Sequence, residues 1–169
     1  EMSKYEVAAM AEKGVFVVMK HFALNDCEQE RIGLGVWLNE QAAREIYLKA
    51  FQAPAEEVNA GMMVAYTRWG AIWSGGNKGL MSGILRGEWG FDGYIVSDCS
   101  GIARLWDAHK KHEDPEDAAS AALNAGVDLE CGSYSPYEHF YMEFLEKQIA
   151  DGKTTEARVD EACFRILTA

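Results

Sequence analysis

Lys20, His21, Tyr66 and Asp98 are the residues whose types and settings suit acid, base or nucleophilic chemistry. Each closes an apolar run. Tyr94-Ile95-Val96-Ser97-Asp98 ends in a carboxylate and is followed by Cys99-Ser100-Gly101. Val15-Phe16-Val17-Val18-Met19 ends in Lys20-His21-Phe22, and Met62-Met63-Val64-Ala65 ends in Tyr66-Thr67-Arg68. Short apolar runs bounded by turn formers read as buried parallel strands. When such strands build an α/β barrel, the groups at their carboxyl ends line the active site. One charged strand end marks no more than the return to solvent. Three together, each bringing a different group, favour a shared site with Asp98 as a catalytic candidate.

The elements that must position these groups alternate along the chain. Residues 2–13 read as a helix, and Gly14 separates them from a strand at 15–19. Asn39-Glu40-Gln41 opens a helix through about Phe51, with Ala42, Ile46 and Phe51 at helical spacing. A strand at 62–66 follows Gly61, a helix spans 77–88 and ends at Gly87 or Gly90, and the strand at 94–98 comes next. Asp114-Pro115-Glu116-Asp117 is a helix start, with Asp as N-cap, Pro at the first helical position and acids in the first turn. That helix runs to Asn124 and stops at Gly126, before a short acid-terminated strand, Val127-Asp128-Leu129-Glu130. Helices near 136–150 and 155–167 close the chain.

About four βα units in succession predict an α/β fold with parallel strands and right-handed crossovers. A complete (β/α)8 barrel takes roughly 250 residues. The 169 residues here supply about half, so the expected architecture is the second half of a TIM-type barrel, incomplete as given. Residues 1–169 are then one partial catalytic barrel, with the other strands and any second domain outside it. The Gly75-Gly76 pair lacks the G-x-G-x-x-G spacing of a dinucleotide site.

Composition narrows the function classes. A formal charge of −11, from 16 basic and 27 acidic residues, argues against nucleic acid and anionic membrane surfaces as partners. No run of ~18 apolar residues could span a bilayer and no leader pattern opens the chain, which leaves the compartment open with the cytoplasm favoured. Cys27, Cys99, Cys131 and Cys163 form no C-x-x-C pair, so no zinc is expected. With 49% hydrophobic residues the chain needs no covalent staples, and reduced thiols are expected. No feature calls for a metal or organic cofactor.

Several long strings carry a resemblance. Lys20-His21-Phe22-Ala23-Leu24-Asn25 with Glu28 and Arg31, Trp37-Leu38-Asn39-Glu40 and Arg44-Glu45-Ile46-Tyr47-Leu48 resemble glycoside hydrolase family 3, the β-glucosidase and β-xylosidase family. The likeness continues through Gly87-Glu88-Trp89-Gly90-Phe91-Asp92-Gly93-Tyr94-Ile95-Val96-Ser97-Asp98, Ala125-Gly126-Val127-Asp128-Leu129-Glu130, Arg158-Val159-Asp160 and Arg165-Ile166-Leu167. It covers nearly the whole chain, and the string ending at Asp98 is highly specific. The resemblance implies hydrolysis of terminal non-reducing β-D-glycosyl residues with retention, Asp98 being the nucleophile that forms a glycosyl-enzyme intermediate. It implies β-linked oligosaccharides or aryl β-glycosides as substrates. The matching Lys20 and His21 would hold glycone hydroxyls, which both donate and accept. Tyr66 would lie near the nucleophile, and Arg31 would pair with Glu28 to brace the loop. Lys20, His21, Arg31, Met63, Tyr66 and Cys99 are the substrate-binding candidates.

Three departures from the family pattern matter. Cys99 stands where many members carry Trp, as in some xylosidase-like branches. Thr67 replaces a common Asn. The family's general acid/base, usually a Glu in a second domain, and its early Asp and Arg sugar contacts have no counterpart here. Retention needs two carboxyls about 5–5.5 Å apart, and no residue of this chain is assigned as the second. A β-xylosidase and a non-catalytic carbohydrate-binding or assembly fragment are the alternatives. The N-acetylglucosaminidase branch, with K-H-F-P-G-H-G, fits poorly because Ala23-Leu24-Asn25 stands there. Trp69 and Trp73 have two readings, sugar stacking or loop packing. Glu130 is expected to be a braced strand-end acid, and His109 and His112, beside Lys110-Lys111, to lie on the surface. Half of a closed sheet exposes edges, so self-association through them is expected.

Overall fold

The computed structural model describes residues 2–132 and 139–169. A three-stranded parallel sheet in the order β1-β3-β6 carries the site, with β1 at Val18–Phe22, β3 at Gly61–Val64 and β6 at Ile95–Val96. Met62 pairs with both Met19 and Ile95, which sets the register across the sheet. The expected fourth strand at 127–130 is reduced to one parallel bridge, Val96 to Leu129. Its backbone stays in register all the same: Asp128 and Leu129 donate to the Ile95 carbonyl at 2.7 and 3.0 Å, and Ser97 donates to Leu129 O at 2.9 Å.

The first strand begins three residues later than its apolar run predicts. Phe16 stacks on Tyr94 at 5.3 Å between ring centres, below the ladder, and so serves as packing rather than pairing. This shift puts Lys20 and His21 inside β1, where the register breaks between Met19 and Phe22. Phe22 is fully buried and meets Phe51 and Trp89 edge-on at 5.3 and 6.0 Å. Truncating such a ring costs about 3–5 kcal/mol.

Helices cover the sheet. α1 (Met2–Ala11) lies against a long helix that starts as α2 (Glu40–Ala42), widens through Ala43–Tyr47 and continues as α3 (Lys49–Glu57). Asn39 caps it, its Oδ1 accepting from Ala42 N at 2.8 Å. Pro54 sits inside α3, beyond the Phe51 end that periodicity predicts. Proline has no N–H for the carbonyl four residues back. Ser3 Oγ donates to that carbonyl, Ala50 O, at 2.7 Å. A wide-turned helix at Gly79–Glu88 leads to β6. The short α4 (Gly101–Trp106), which no pattern announced, follows Asp98. α5 (Pro115–Ala125) starts after Asp114, whose side chain makes no cap hydrogen bond, and stops at Gly126, where φ is +130°. α6 (Phe140–Ala150) falls within the 136–150 prediction, whose residues 136–138 lie outside the described ones. α7 (Glu156–Leu167) is capped by Thr155.

A second, small sheet was not foreseen. β2 (Gly35–Val36), β4 (Arg68–Trp69) and β5 (Ile72–Trp73) pair in that order, β2 parallel to β4 and β4 antiparallel to β5. It organises the segments that follow β1 and β3. Among the described residues no helix is long and apolar enough to cross a membrane.

Candidate active site

Asp98 lies two residues beyond β6 and is buried. Ser97 fixes the turn leading to it: its N–H continues the ladder to Leu129, and its Oγ accepts from Cys131 N at 2.9 Å. The two carboxylate oxygens of Asp98 are treated differently. Oδ1 accepts from the Cys99 amide at 2.8 Å. Oδ2 is buried, has no hydrogen-bond partner among the described residues, and faces His21 Nε2 at 3.3 Å. One oxygen is anchored and the other presented.

The surroundings favour the uncharged form of both flanking rings. Burial lowers the His21 pKa below the usual histidine value, outweighing the nearby Asp98 carboxylate, which works the other way. Burial also pushes the Tyr66 phenol up to about 12, helped by the charge of Asp98. Tyr66 OH therefore keeps its proton and donates to the Cys99 carbonyl. Arg31 lies with its guanidinium 4.8 Å from the centre of the Tyr66 ring and its Nη1 3.0 Å from Glu28.

The structure thus gathers His21, Arg31, Tyr66 and Cys99 around Asp98. Met63, half-buried in β3, pairs with Val96 one row below. Lys20 is exposed and lines a groove between α1 and β1. No hydrogen bond or ion pair joins it to Asp98 among the described residues. Sequence reasoning missed Ser97 and Cys131, whose Sγ lies 3.1 Å from that of Cys99. The available signal was position: the two cysteines follow neighbouring strands by nearly the same number of residues. It also missed Thr67 Oγ1, which donates to Ala23 O at 2.8 Å and ties the turn after β3 to the one after β1.

Three other expectations resolve. Trp73 is no sugar platform, being 2% exposed with its ring laid over Gly75, where any Cβ would collide with it. Glu130 accepts from Phe140 N and Tyr141 N at 3.0 and 2.9 Å, so it closes the first turn of α6. His109 and His112 are half-buried rather than superficial. Both ring nitrogens of His109 are buried without partners among the described residues, and burial, aided by Arg68 and Arg104, holds its pKa down to about 4. Among the described residues no group of three or more His, Cys, Asp or Glu is close enough to hold a metal ion.

Residues 1–169 match the Glycosyl hydrolase family 3 N terminal domain. The chain belongs to glycoside hydrolase family 3. Its fold is the α/β fold of that family's N-terminal domain. It is 30% identical over 161 residues to probable beta-glucosidase J of Emericella nidulans, covering 95% of this chain and 17% of that protein. It is 31% identical over 154 residues to probable beta-D-xylosidase 7 of Arabidopsis thaliana, covering 88% of this chain and 19% of that one. The crystal structure of beta-glucosidase from Listeria innocua superposes with a TM-score of 0.80 at 30% identity, over 91% of this chain and 21% of that one. The family 3 chain therefore spans about a fifth of the length of the relatives it matches.

Proposed function

We propose that this chain is the nucleophile-bearing arc of a (β/α)8 barrel in a retaining β-glycosidase, acting on terminal β-D-glucosyl residues. The arrangement of Asp98 carries this reading: a carboxylate at the carboxyl end of a parallel strand, one oxygen fixed by the Cys99 amide, the other buried against His21 with no hydrogen-bond partner among the described residues. In the first step Asp98 Oδ2 bonds to the anomeric carbon while the glycosidic C–O bond breaks, and the aglycone leaves with the electron pair. Water then cleaves the glycosyl ester and restores the carboxylate. Neutral His21 and protonated Tyr66 offer donors beside the reacting centre without competing for its charge.

The partial-barrel reading draws support from the sheet order. β1 is an outer strand of its sheet, and beside it runs an apolar groove of about 400 Å3 lined by Val7, Met10, Val17, Met19 and Phe51. Such a groove suits a further βα unit, and an isolated chain is expected to associate through it. No carboxyl here is assigned as acid/base, so the chain alone is expected to leave unactivated disaccharides intact. A β-xylosidase is the second reading, favoured by the Arabidopsis relative and by Cys99 beside the nucleophile.

The test is covalent trapping. A 2-fluoro aryl β-glucoside with a good leaving group slows hydrolysis of the intermediate and bypasses the need for a general acid. The protein carrying this chain should gain one glycosyl mass on the peptide spanning 87–104, at Asp98. Labelling at another carboxylate, or none with either the glucoside or the xyloside, overturns the assignment.

A further inference from the structure

The reaction uses the backbone of Cys99 but not its sulfur. Cys99 Sγ and Cys131 Sγ stand 3.1 Å apart, closer than two unbonded sulfurs ordinarily approach. The backbones behind them are tied together. Cys131 N donates to Ser97 Oγ at 2.9 Å, and Ser100 N donates to the carbonyls of Cys131 and Gly132 at 3.2 and 3.0 Å. The pair is held from both sides by strand-end hydrogen bonds, so an approach of ~1 Å completes a disulfide of about 2.05 Å. Cys99 is exposed and Cys131 half-buried, whereas Cys27 and Cys163 are exposed and pair with no other cysteine.

We propose that Cys99 and Cys131 are a modification site, a thiol pair that small disulfides such as glutathione disulfide convert reversibly to an intrachain disulfide beside Asp98. The exposed Cys99 thiolate attacks one sulfur of glutathione disulfide, forms a mixed disulfide and expels one glutathione thiolate. Cys131 then attacks the Cys99 sulfur and expels the second glutathione. Two protein thiols are oxidised, one disulfide is reduced to two thiols, and two protons pass to solvent. Burial, together with the Cys99 sulfur alongside, holds the Cys131 thiol up to about 11, which makes Cys99 the entry point. The new bond fixes the Cys99 backbone, which carries the amide on Asp98 Oδ1 and the carbonyl on Tyr66. Oxidation state would therefore set how rigidly the nucleophile is held.

The proposal does not depend on glycosidase activity, and neither does its test. The protein is equilibrated in glutathione buffers from reducing to oxidising, alkylated, and digested with trypsin. Expected is a cross-linked species joining the peptides 87–104 and 112–147, rising to more than nine-tenths of the total and reverting with dithiothreitol. Cys131→Ser should instead trap glutathione on Cys99. If that variant does not fold, the wild-type peptide masses still decide. Stable glutathione adducts on Cys99 with Cys131 alkylated in every buffer, or cross-links to Cys27 or Cys163, overturn the proposal.

Discussion

Asp98 and Asp128 are both buried carboxylates that flank the same parallel register, yet their surroundings are opposite. Asp128 is saturated. Its Oδ2 receives Arg86 Nη2 at 2.6 Å and Ile95 N at 2.9 Å, and its Oδ1 receives Arg158 Nη2 at 2.7 Å and Arg165 Nη1 at 3.2 Å. Asp98 has one backbone amide, with the His21 imidazole and the Tyr66 hydroxyl nearby and no cation paired to it among the described residues. An acid whose lone pairs are all engaged can only hold the fold together. An acid with one oxygen left over can attack. Within one sheet the chain separates a saturated carboxylate from one with an oxygen to spare by the number of donors it supplies, which supports the role proposed for Asp98.

The largest expected effect is on the chemical side. Asp98→Asn keeps shape and removes the proposed nucleophile, so turnover of an aryl β-glucoside by the protein carrying this chain should fall at least ~1,000-fold, about 4 kcal/mol of transition-state stabilisation. Its melting temperature should move by no more than about 2 °C, a small fraction of what a core substitution does. Near-normal activity would erase the distinction between the two acids.

On the structural side, Asp128→Asn should do the reverse. Three largely buried guanidinium groups would be left with Glu161 as their remaining carboxylate partner among the described residues. Burial already pulls the Arg86 pKa down to about 10 against the attraction of Asp128. Removing one partner of a buried pair costs about 3–5 kcal/mol. Urea unfolding at neutral pH measures it, and a loss under about 1 kcal/mol would show that the arginines, not the acid, organise this corner.

His109 sharpens the contrast from a third direction, as a buried base facing Arg68 and Arg104 instead of an acid. Its folded pKa of about 4 lies below the ordinary 6.5. Between those values the unfolded chain takes up a proton that the folded chain refuses. Its contribution to stability therefore falls as pH drops from 6.5 and levels off below 4, by about 1 kcal/mol between pH 7 and pH 5 once solvent screening of the half-buried ring is counted. His109→Phe should show that much less loss over the interval in paired urea titrations. Equal losses in both proteins would place the imidazole in water.

Asp98 and the parallel strands were legible because apolar runs ending in polar groups are a local pattern. The difference between Asp98 and Asp128 was not, because the arginines around Asp128 come from positions 86, 158 and 165, on two helices far from it in sequence. The same limit hid the small sheet, whose two-residue strands carry no periodicity, and hid Trp73, whose burial depends on Gly75 and Gly101 giving its ring room. The β1 boundary moved because Phe16 is apolar for packing on Tyr94 beneath the sheet. The Lys20 contact expected from the family likeness calls for substrate or for further strands beside β1, and neither is within these residues.

The smallest effect is expected from Arg165→Met. Arg165 makes the longest of the three contacts to Asp128, and the oxygen it reaches is also held by Arg158. Oδ2 keeps Arg86 and the Ile95 amide, so no lone pair is orphaned. The like charge of Arg165 also depresses the Arg86 pKa, and its removal relieves that repulsion. Methionine retains most of the buried apolar stem. What is lost is one charged contact and the half-exposed pair with Glu161, for a net cost under about 1 kcal/mol. The urea midpoint should shift slightly with an unchanged slope, and catalysis should not change. A loss as large as that of Asp128→Asn would mean that each arginine is indispensable. Asp128 would then be one member of an all-or-none cluster, and counting donors on a carboxylate would no longer separate it from Asp98.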